Sequence, residues 1–569
     1  MTITQSLTGR CLDARPIFAA TFWLALLSPV VAVADEQPAT LDEVVVTAPM
    51  LSQPLVVETD PRNPRQPVPP ADGAGYLKSI PGFAITRKGG IDGDPLLRGQ
   101  GGSRLNVLID GTPLLGGCGN RMDPPTAYIF PDSFDKLTVL KGPQSVVHGG
   151  AALGTVLVER QTKRFKELSV RGNASALYGS FDRNDEVLDM AGGDTPGYVR
   201  MIGTHSSSDD YRDGNGNAVH SNYWRRSGTA LVGWTPDDRT TIEASLDKSE
   251  AQAAYADRGM DGSKFDREGM SLKVTRTEIS PLLAKVQATL YRNYVDHIMD
   301  GYSLRQNNGM GASNPDHLMM GGKAQAELTP GSATKLILGG EYNQDQHSAR
   351  SLSNAEYLSG VGLDSKQRVV DMTFDTAAGF GEINHELSGD TRLIGGYRLT
   401  HVSAAKHNIQ PNLSDDRTLN SGFGRIEHDI RLGVPLTAYA GLGHVERAPD
   451  FWERNKSIAS FSTGTEKTDQ LDVGALFTSG PWHGSVSAFY ARTEDYILVS
   501  STRSKNVDAH TRGGEAELSY KVLPQWTIEA TAAYVHGEND SDNVPLAQTP
   551  PLDTSLAVKY DDGTFLGGL

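Results

Sequence analysis

Residues 317–343 read HLMMGGKAQAELTPGSATKLILGGEYN, and the fold follows from how that stretch alternates. From His317 the odd positions are His317, Met319, Gly321, Lys323, Gln325 and Glu327, and the even ones are Leu318, Met320, Gly322, Ala324, Ala326 and Leu328. Residues two apart on a strand share a face. Thr329-Pro330-Gly331-Ser332 is a tight turn, and Lys335–Asn343 alternates again. Lys323 and Glu327 cannot face hydrocarbon, so the odd set faces inward and the apolar even set faces lipid. This is one hairpin of a transmembrane β-barrel.

The same texture fills the chain from about residue 166 onward. Thr229–Trp234 and Thr241–Asp247 flank Thr235-Pro236-Asp237-Asp238. Further pairs flank Ser388-Gly389-Asp390-Thr391, Ser479-Gly480-Pro481 and Leu523-Pro524-Gln525. Short turns alternate with long polar loops, the asymmetry of an outer-membrane barrel. A soluble sandwich does not sustain roughly 400 residues of hairpins. Asp213-Gly214-Asn215-Gly216-Asn217 starts like a calcium loop, but Trp224 stands where the closing glutamate is needed.

Ahead of the barrel, residues 75–165 have the composition of a compact α+β domain. Leu105–Ile109, Lys136–Leu140 and the end of His148–Val158 read as buried strands. Gly99, Gly101 and Gly102 follow no suitable strand and precede no Lys-Ser/Thr pair, so they are turn glycines rather than a phosphate loop. Residues 35–74 form a leader. Leu41–Ala48 is β-prone, and Pro49, Pro54, Pro61, Pro64, Pro67, Pro69 and Pro70 make residues 49–70 a stiff tether. A β-prone peptide on a tether suits strand addition to another protein.

Residues 1–34 read as a secretory signal peptide: Arg10 and Arg15, the apolar Phe18–Val31, then Ala32-Val33-Ala34. Cleavage removes Cys11, leaving Cys118 as the single cysteine of an exported chain. An unpaired cysteine in an oxidising compartment implies reactivity, metal binding or intermolecular pairing. The net charge of −16 argues against nucleic acid as a partner. No triad, paired-carboxylate or His-Glu-x-x-His pattern points to catalysis.

In this order, the pieces resemble the TonB-dependent outer-membrane receptors. Leu97-Arg98-Gly99, Val107–Gly111, Val139–Pro143 and His148-Gly149-Gly150 look like the plug signature, and Glu446–Asp450 with Asp472–Ala475 fits the barrel. The resemblance implies an all-β transmembrane barrel of the 22-stranded class over residues 166–569, with an N-terminal α+β plug in its lumen. It places the protein in the outer membrane of a Gram-negative bacterium, among lipid, as an expected monomer. It makes residues 41–48 the TonB box, with Asp42, Glu43, Val44, Val45, Val46 and Thr47 pairing with TonB. The residues after the plug suffice for roughly 16–18 strands, so the barrel is expected to be incomplete at its C-terminal end.

Cys118-x-x-x-Met122, together with His317-x-Met319, resembles the copper receptors of this class, the OprC/NosA type. That resemblance implies a copper site shared by plug (Cys118, Met122) and barrel (His317, Met319). Thiolate, thioether and imidazole are soft-to-borderline donors that favour copper, especially Cu(I), over hard cations. By the parity above, His317 and Met319 look inward at the outer end of their strand. Met299 and Met310 read as packing or loop residues. The alternative is a receptor for an organic metal chelate, a siderophore or haem, whose site would be larger and built from aromatic and basic groups.

Overall fold

A computed structural model describes residues 51–63, 65–431 and 433–569. Residues 1–34, read as a signal peptide, and the Leu41–Ala48 segment lie outside the described residues. No described helix is long and apolar enough to cross a membrane. Among the described residues, twenty antiparallel strands, from Ser169–Gly179 to Leu566–Gly568, form a barrel sheet. Val544–Pro545 and Leu566–Gly568 are two and three residues long, so eighteen strands of nine residues or more carry the span.

The alternation read from residues 317–343 holds. Ala312–Leu328 pairs with Thr334–Leu352 across the Thr329–Ala333 turn, with Glu327 opposite Ile337 and His317 opposite His347. His317 and Met319 are buried inside, while Met320 is 43% exposed on the outer face. Leu188, Val232, Leu246, Leu290, Leu442 and Val486 are likewise exposed, as lipid-facing positions must be. Trp482 stacks on Tyr520 at 4.0 Å, and Trp526 packs against Tyr560 at 5.1 Å, both beside short turns. Amphipathic rings at this level mark a membrane interface. The short turns therefore gather at the periplasmic end, and the loops 301–311, 353–368 and 448–465 at the outer end.

The plug is built on a six-stranded sheet in the order Leu51–Gln53, Val56–Thr59, Lys136–Lys141, Gly154–Glu159, Leu105–Ile109, Thr112–Pro113. Three of these answer the expected strands. The first two correct the reading of residues 49–70 as a stiff tether. Leu51, Leu55 and Val57 are buried in the plug core, and Val56–Thr59 pairs with residues 137–140. Their alternating apolar side chains supply enough burial to overrule the surrounding prolines.

Plug and barrel are joined by charges inside the lumen. Arg98 pairs with Asp472 at 2.9 Å and Glu515 at 3.0 Å, and Lys141 with Glu515 at 2.5 Å. Arg104 meets Glu466 through two bonds of 2.8 and 2.6 Å. Buried ions are tolerated only when paired in this way.

Candidate metal centre

The loop Leu114–Asp123 leaves the plug sheet just after Thr112–Pro113 and is closed by its own last residue. The buried Asp123 carboxylate accepts from the backbone N–H of Gly117 (2.8 Å) and Cys118 (2.9 Å), and from the Tyr128 hydroxyl (2.8 Å). Burial and the neighbouring Asp123 charge raise the Tyr128 pKa well above its ordinary value, so the phenol stays a donor. Gly116 permits the closure, because a Cβ there would stand 1.9 Å from the Asp123 carbonyl oxygen. The Arg121 N–H donates to the Cys118 carbonyl at 2.9 Å, and the Asn120 N–H points at the Cys118 sulfur at 3.4 Å.

Charged contacts brace this loop from both sides. Arg121 binds Asp94 with bonds of 3.0 and 2.8 Å, and Lys88 bonds both Asp94 and the Arg121 carbonyl. Burial lowers the Lys88 pKa; it would raise that of Asp94, but Arg121 and Lys88 hold that carboxyl below its usual range. From the barrel loop, Lys456 donates to the Gly119 carbonyl (3.0 Å) and to Asn120 Oδ1 (2.9 Å). The Arg121 guanidinium lies 5.5 Å from the Trp452 ring.

The barrel residue that reaches the thiol is His297, on the strand Leu283–Asp300. A ligand nitrogen of His297, the Cys118 sulfur and a carboxylate oxygen of Asp123 lie within 4.8 Å of one another. His297 is fully buried, with its ring against Phe265 at a centroid distance of 4.5 Å. Neither ring nitrogen makes a hydrogen bond of ordinary geometry, and the polar groups it faces are the Cys118 thiol and the Asp123 carboxylate. Met299, two residues on and thus on the same face, is buried with Met122 in one apolar cluster, against which Cys118 packs. Asp123 already accepts three hydrogen bonds, so its carboxylate serves chiefly to hold the loop.

His317 has other partners. Its Nε2 lies 2.7 Å from Asp345 Oδ1, its Nδ1 3.4 Å from the Leu115 carbonyl, and its ring stacks on His347 at 4.2 Å. It is not in the group of ligand atoms around Cys118. Met319 is buried on the inner wall, between Asn293 and Asp345 in register. The structure thus puts Cys118 and Met122 on one loop and both His317 and Met319 inward, but the histidine beside the thiol is His297. The missed signal was legible: His297-Ile298-Met299 repeats the His-x-Met spacing on the neighbouring strand.

Residues 203–569 match the family described as TonB dependent receptor-like, beta-barrel, and residues 64–156 match the TonB-dependent Receptor Plug Domain. Among solved structures the chain is similar to the copper transporter OprC, with a TM-score of 0.87 and 42% identity over 92% of this chain and 85% of that one. It is 22% identical to a hemin receptor of Yersinia pestis, over 80% of this chain and 72% of that protein. It is 21% identical to a ferripyoverdine receptor of Pseudomonas aeruginosa, over 75% of this chain and 58% of that one. With its plug, its barrel of lipid-facing strands and these matches, the chain belongs to the TonB-dependent receptors of the Gram-negative outer membrane.

Proposed function

We propose that this receptor imports copper, which it takes up between Cys118 and Met122 of the plug loop and His297 and Met299 of the barrel. The observation that carries the reading is the approach of a fully buried imidazole, His297, to the thiol of the one cysteine outside the signal peptide. Two sulfur types and an imidazole form a soft set that prefers copper, with Cu(I) the favoured form. The likeness to the copper transporter OprC supports the same cargo.

Half of the proposed site belongs to the plug and half to the barrel wall, so relative movement of the two bodies breaks the coordination. TonB pairs with the Leu41–Ala48 segment through Asp42–Thr47 and pulls. The pull reaches Leu51–Thr59, whose strand Val56–Thr59 is hydrogen-bonded to Lys136–Lys141. The plug then rearranges and the ion leaves toward the periplasm. The haem and siderophore receptors among the relatives suggest an organic chelate as the alternative cargo. Against it stands the enclosure of the thiol and imidazole by buried Tyr128, Tyr255 and Phe265, which suits a bare ion.

Copper content of the purified receptor tests the reading. Cys118→Ala and His297→Ala are expected to abolish stoichiometric Cu(I), and His317→Ala to retain it. Undiminished copper in Cys118→Ala would overturn the site, and loss in His317→Ala with retention in His297→Ala would return the barrel half to His317.

A further inference from the structure

On the outside of the barrel, the strands Glu466–Ser479, Trp482–Val499 and Ser504–Leu523 expose Leu471, Val473, Val486, Tyr490 and Leu518 to lipid. Higher up, the same face turns basic. Lys467, Arg492 and Arg512 are exposed there, while Glu466, Ala491 and Thr511, one residue away on each strand, are buried on the inner face. In register, Lys467 stands opposite Glu494, Arg492 opposite His510, and Arg512 opposite Tyr490. The three cations therefore step diagonally across adjacent strands, about 7–8 Å from one to the next. Taking ~3.3 Å per residue and a tilt of ~40°, Arg492 lies about 25 Å above Trp482, whose ring stacks on Tyr520 at the periplasmic interface. That is the height of the apolar band of an outer-membrane barrel. Arg512 lies slightly below its upper edge and Lys467 slightly above.

These cations are short of partners within the protein. Among the described residues Lys467 and Arg512 make no hydrogen bond or ion pair, and Arg492 has Glu494 at 3.6 Å. The other acidic groups nearby are engaged elsewhere. His444 holds Asp469 at 2.7 Å, His510 holds Asp540 at 2.8 Å, His536 lies 3.9 Å from Glu538, and Asp508 accepts from the Asp495 N–H at 3.3 Å. On another flank, at a similar height, the chain neutralises its own lipid-facing cations: Arg226 and Lys248 share Glu250, at 2.5 and 3.4 Å. A cation on the lipid face is costly in hydrocarbon and tolerated near the interface, where an anionic headgroup can meet it.

We propose that Lys467, Arg492 and Arg512 bind the phosphate groups of a phosphorylated glycolipid in the outer leaflet. Three features select this occupant. The outward parity removes the three side chains from the lumen and its cargo, their height matches the headgroup layer, and their unmatched charge calls for an anion. Guanidinium groups take a phosphate through paired hydrogen bonds, and the lysine ammonium meets one as a point charge. The line from Lys467 to Arg512 covers two diagonal steps, which is wider than one phosphate. A headgroup with phosphates at both ends therefore fits it better than a phospholipid with one. The long stems let the charges reach up from the edge of the apolar band, and Tyr490 lies beside Arg512 at the level where amphipathic rings collect.

The test is a titration of the purified, delipidated receptor in detergent with bisphosphorylated lipid A, read by native mass spectrometry. Lys467→Gln/Arg492→Gln/Arg512→Gln is expected to bind at least about 10-fold more weakly than the wild type. Arg226→Gln, which removes a cation already paired with Glu250, is expected to bind like the wild type. The charge-keeping variant Lys467→Arg/Arg512→Lys is expected to retain binding, which separates loss of charge from loss of fold. Lipid A stripped of both phosphates is expected to bind neither the wild type nor the triple variant. Equal affinity in the triple variant, or equal binding of the stripped lipid, would overturn the proposal. So would displacement of the lipid by inorganic phosphate at the same concentration, or a lipid-free dimer of the wild type that the triple variant loses.

Discussion

The backbone N–H of Cys118 donates to the Oδ1 of Asp123 at 2.9 Å, so the position of the thiol is set by a carboxylate five residues away. The same carboxylate ties down Gly117 and Tyr128. Asp123→Ala removes three acceptor contacts at once and frees the loop. Copper affinity is expected to fall about 10- to 100-fold, the usual loss when a residue that orients a ligand is removed. Competition with a Cu(I) chelator measures it, and unchanged affinity would mean that the loop is held by Arg121 and Lys456 instead.

Asp92 gives the plug a pH dependence. It is fully buried and accepts from the Tyr255 hydroxyl and the Gly89 N–H. Burial raises its pKa from 3.8 to about 6. A raised carboxyl means that the folded state binds the proton more tightly than the unfolded one. Its stabilising contribution is therefore complete below about 3.8 and is lost as the pH rises through about 6. Asp92→Asn is expected to flatten this window and to stabilise the segment at pH 7 by up to about 3 kcal/mol. Hydrogen exchange of residues 89–93 against pH tests it; a wild-type stability profile that rises between pH 4 and 6 has the wrong sign for this account.

The Arg104–Glu466 pair should hold the plug in place. Glu466 also bonds Arg447 at 3.1 Å and accepts from the Ile497 N–H at 2.8 Å. Glu466→Ala leaves two buried guanidiniums short of a partner, which costs about 3–5 kcal/mol. The expected outcome is a plug that unfolds at lower temperature than the barrel and is cut by protease from outside. A single unshifted thermal transition would show that Glu453, also paired with Arg447, compensates.

A covalent lock tests whether the plug must move against the wall that Val146 packs on. A Cβ at Gly396 would stand 2.7 Å from Val146 Cγ2, which puts a Val146→Cys/Gly396→Cys pair within disulfide reach. The oxidised double variant is expected to bind copper normally but to transport it only at background rate, with recovery on reduction. Full transport while oxidised would show that import needs no movement of Val146 against this wall.

Much of this was legible in the chain. The period-two alternation from His317 to Asn343 fixed which side chains face the lumen, because a charge facing hydrocarbon is prohibitive whatever the rest of the fold does. The turn signals located the short turns at one end, and reading residues 1–34 as a signal peptide isolated Cys118 as the cysteine needing an explanation. Less could be read of Leu51–Thr59, where prolines masked two short strands that pair with each other, the second of them also with Lys136–Lys141, about eighty residues away.

The sequence by itself determined the class of the fold and the inward parity of His317 and Met319. It pointed to His317 and passed over His297, although both point inward from adjacent strands near the same end of the barrel. Only the tertiary structure settles which imidazole stands beside Cys118 and which is spent on Asp345. Parity fixes the face of a strand, but the depth and rotation at which a separate plug loop meets that face depend on long-range contacts, here Asp123, Lys456 and the Leu115 carbonyl.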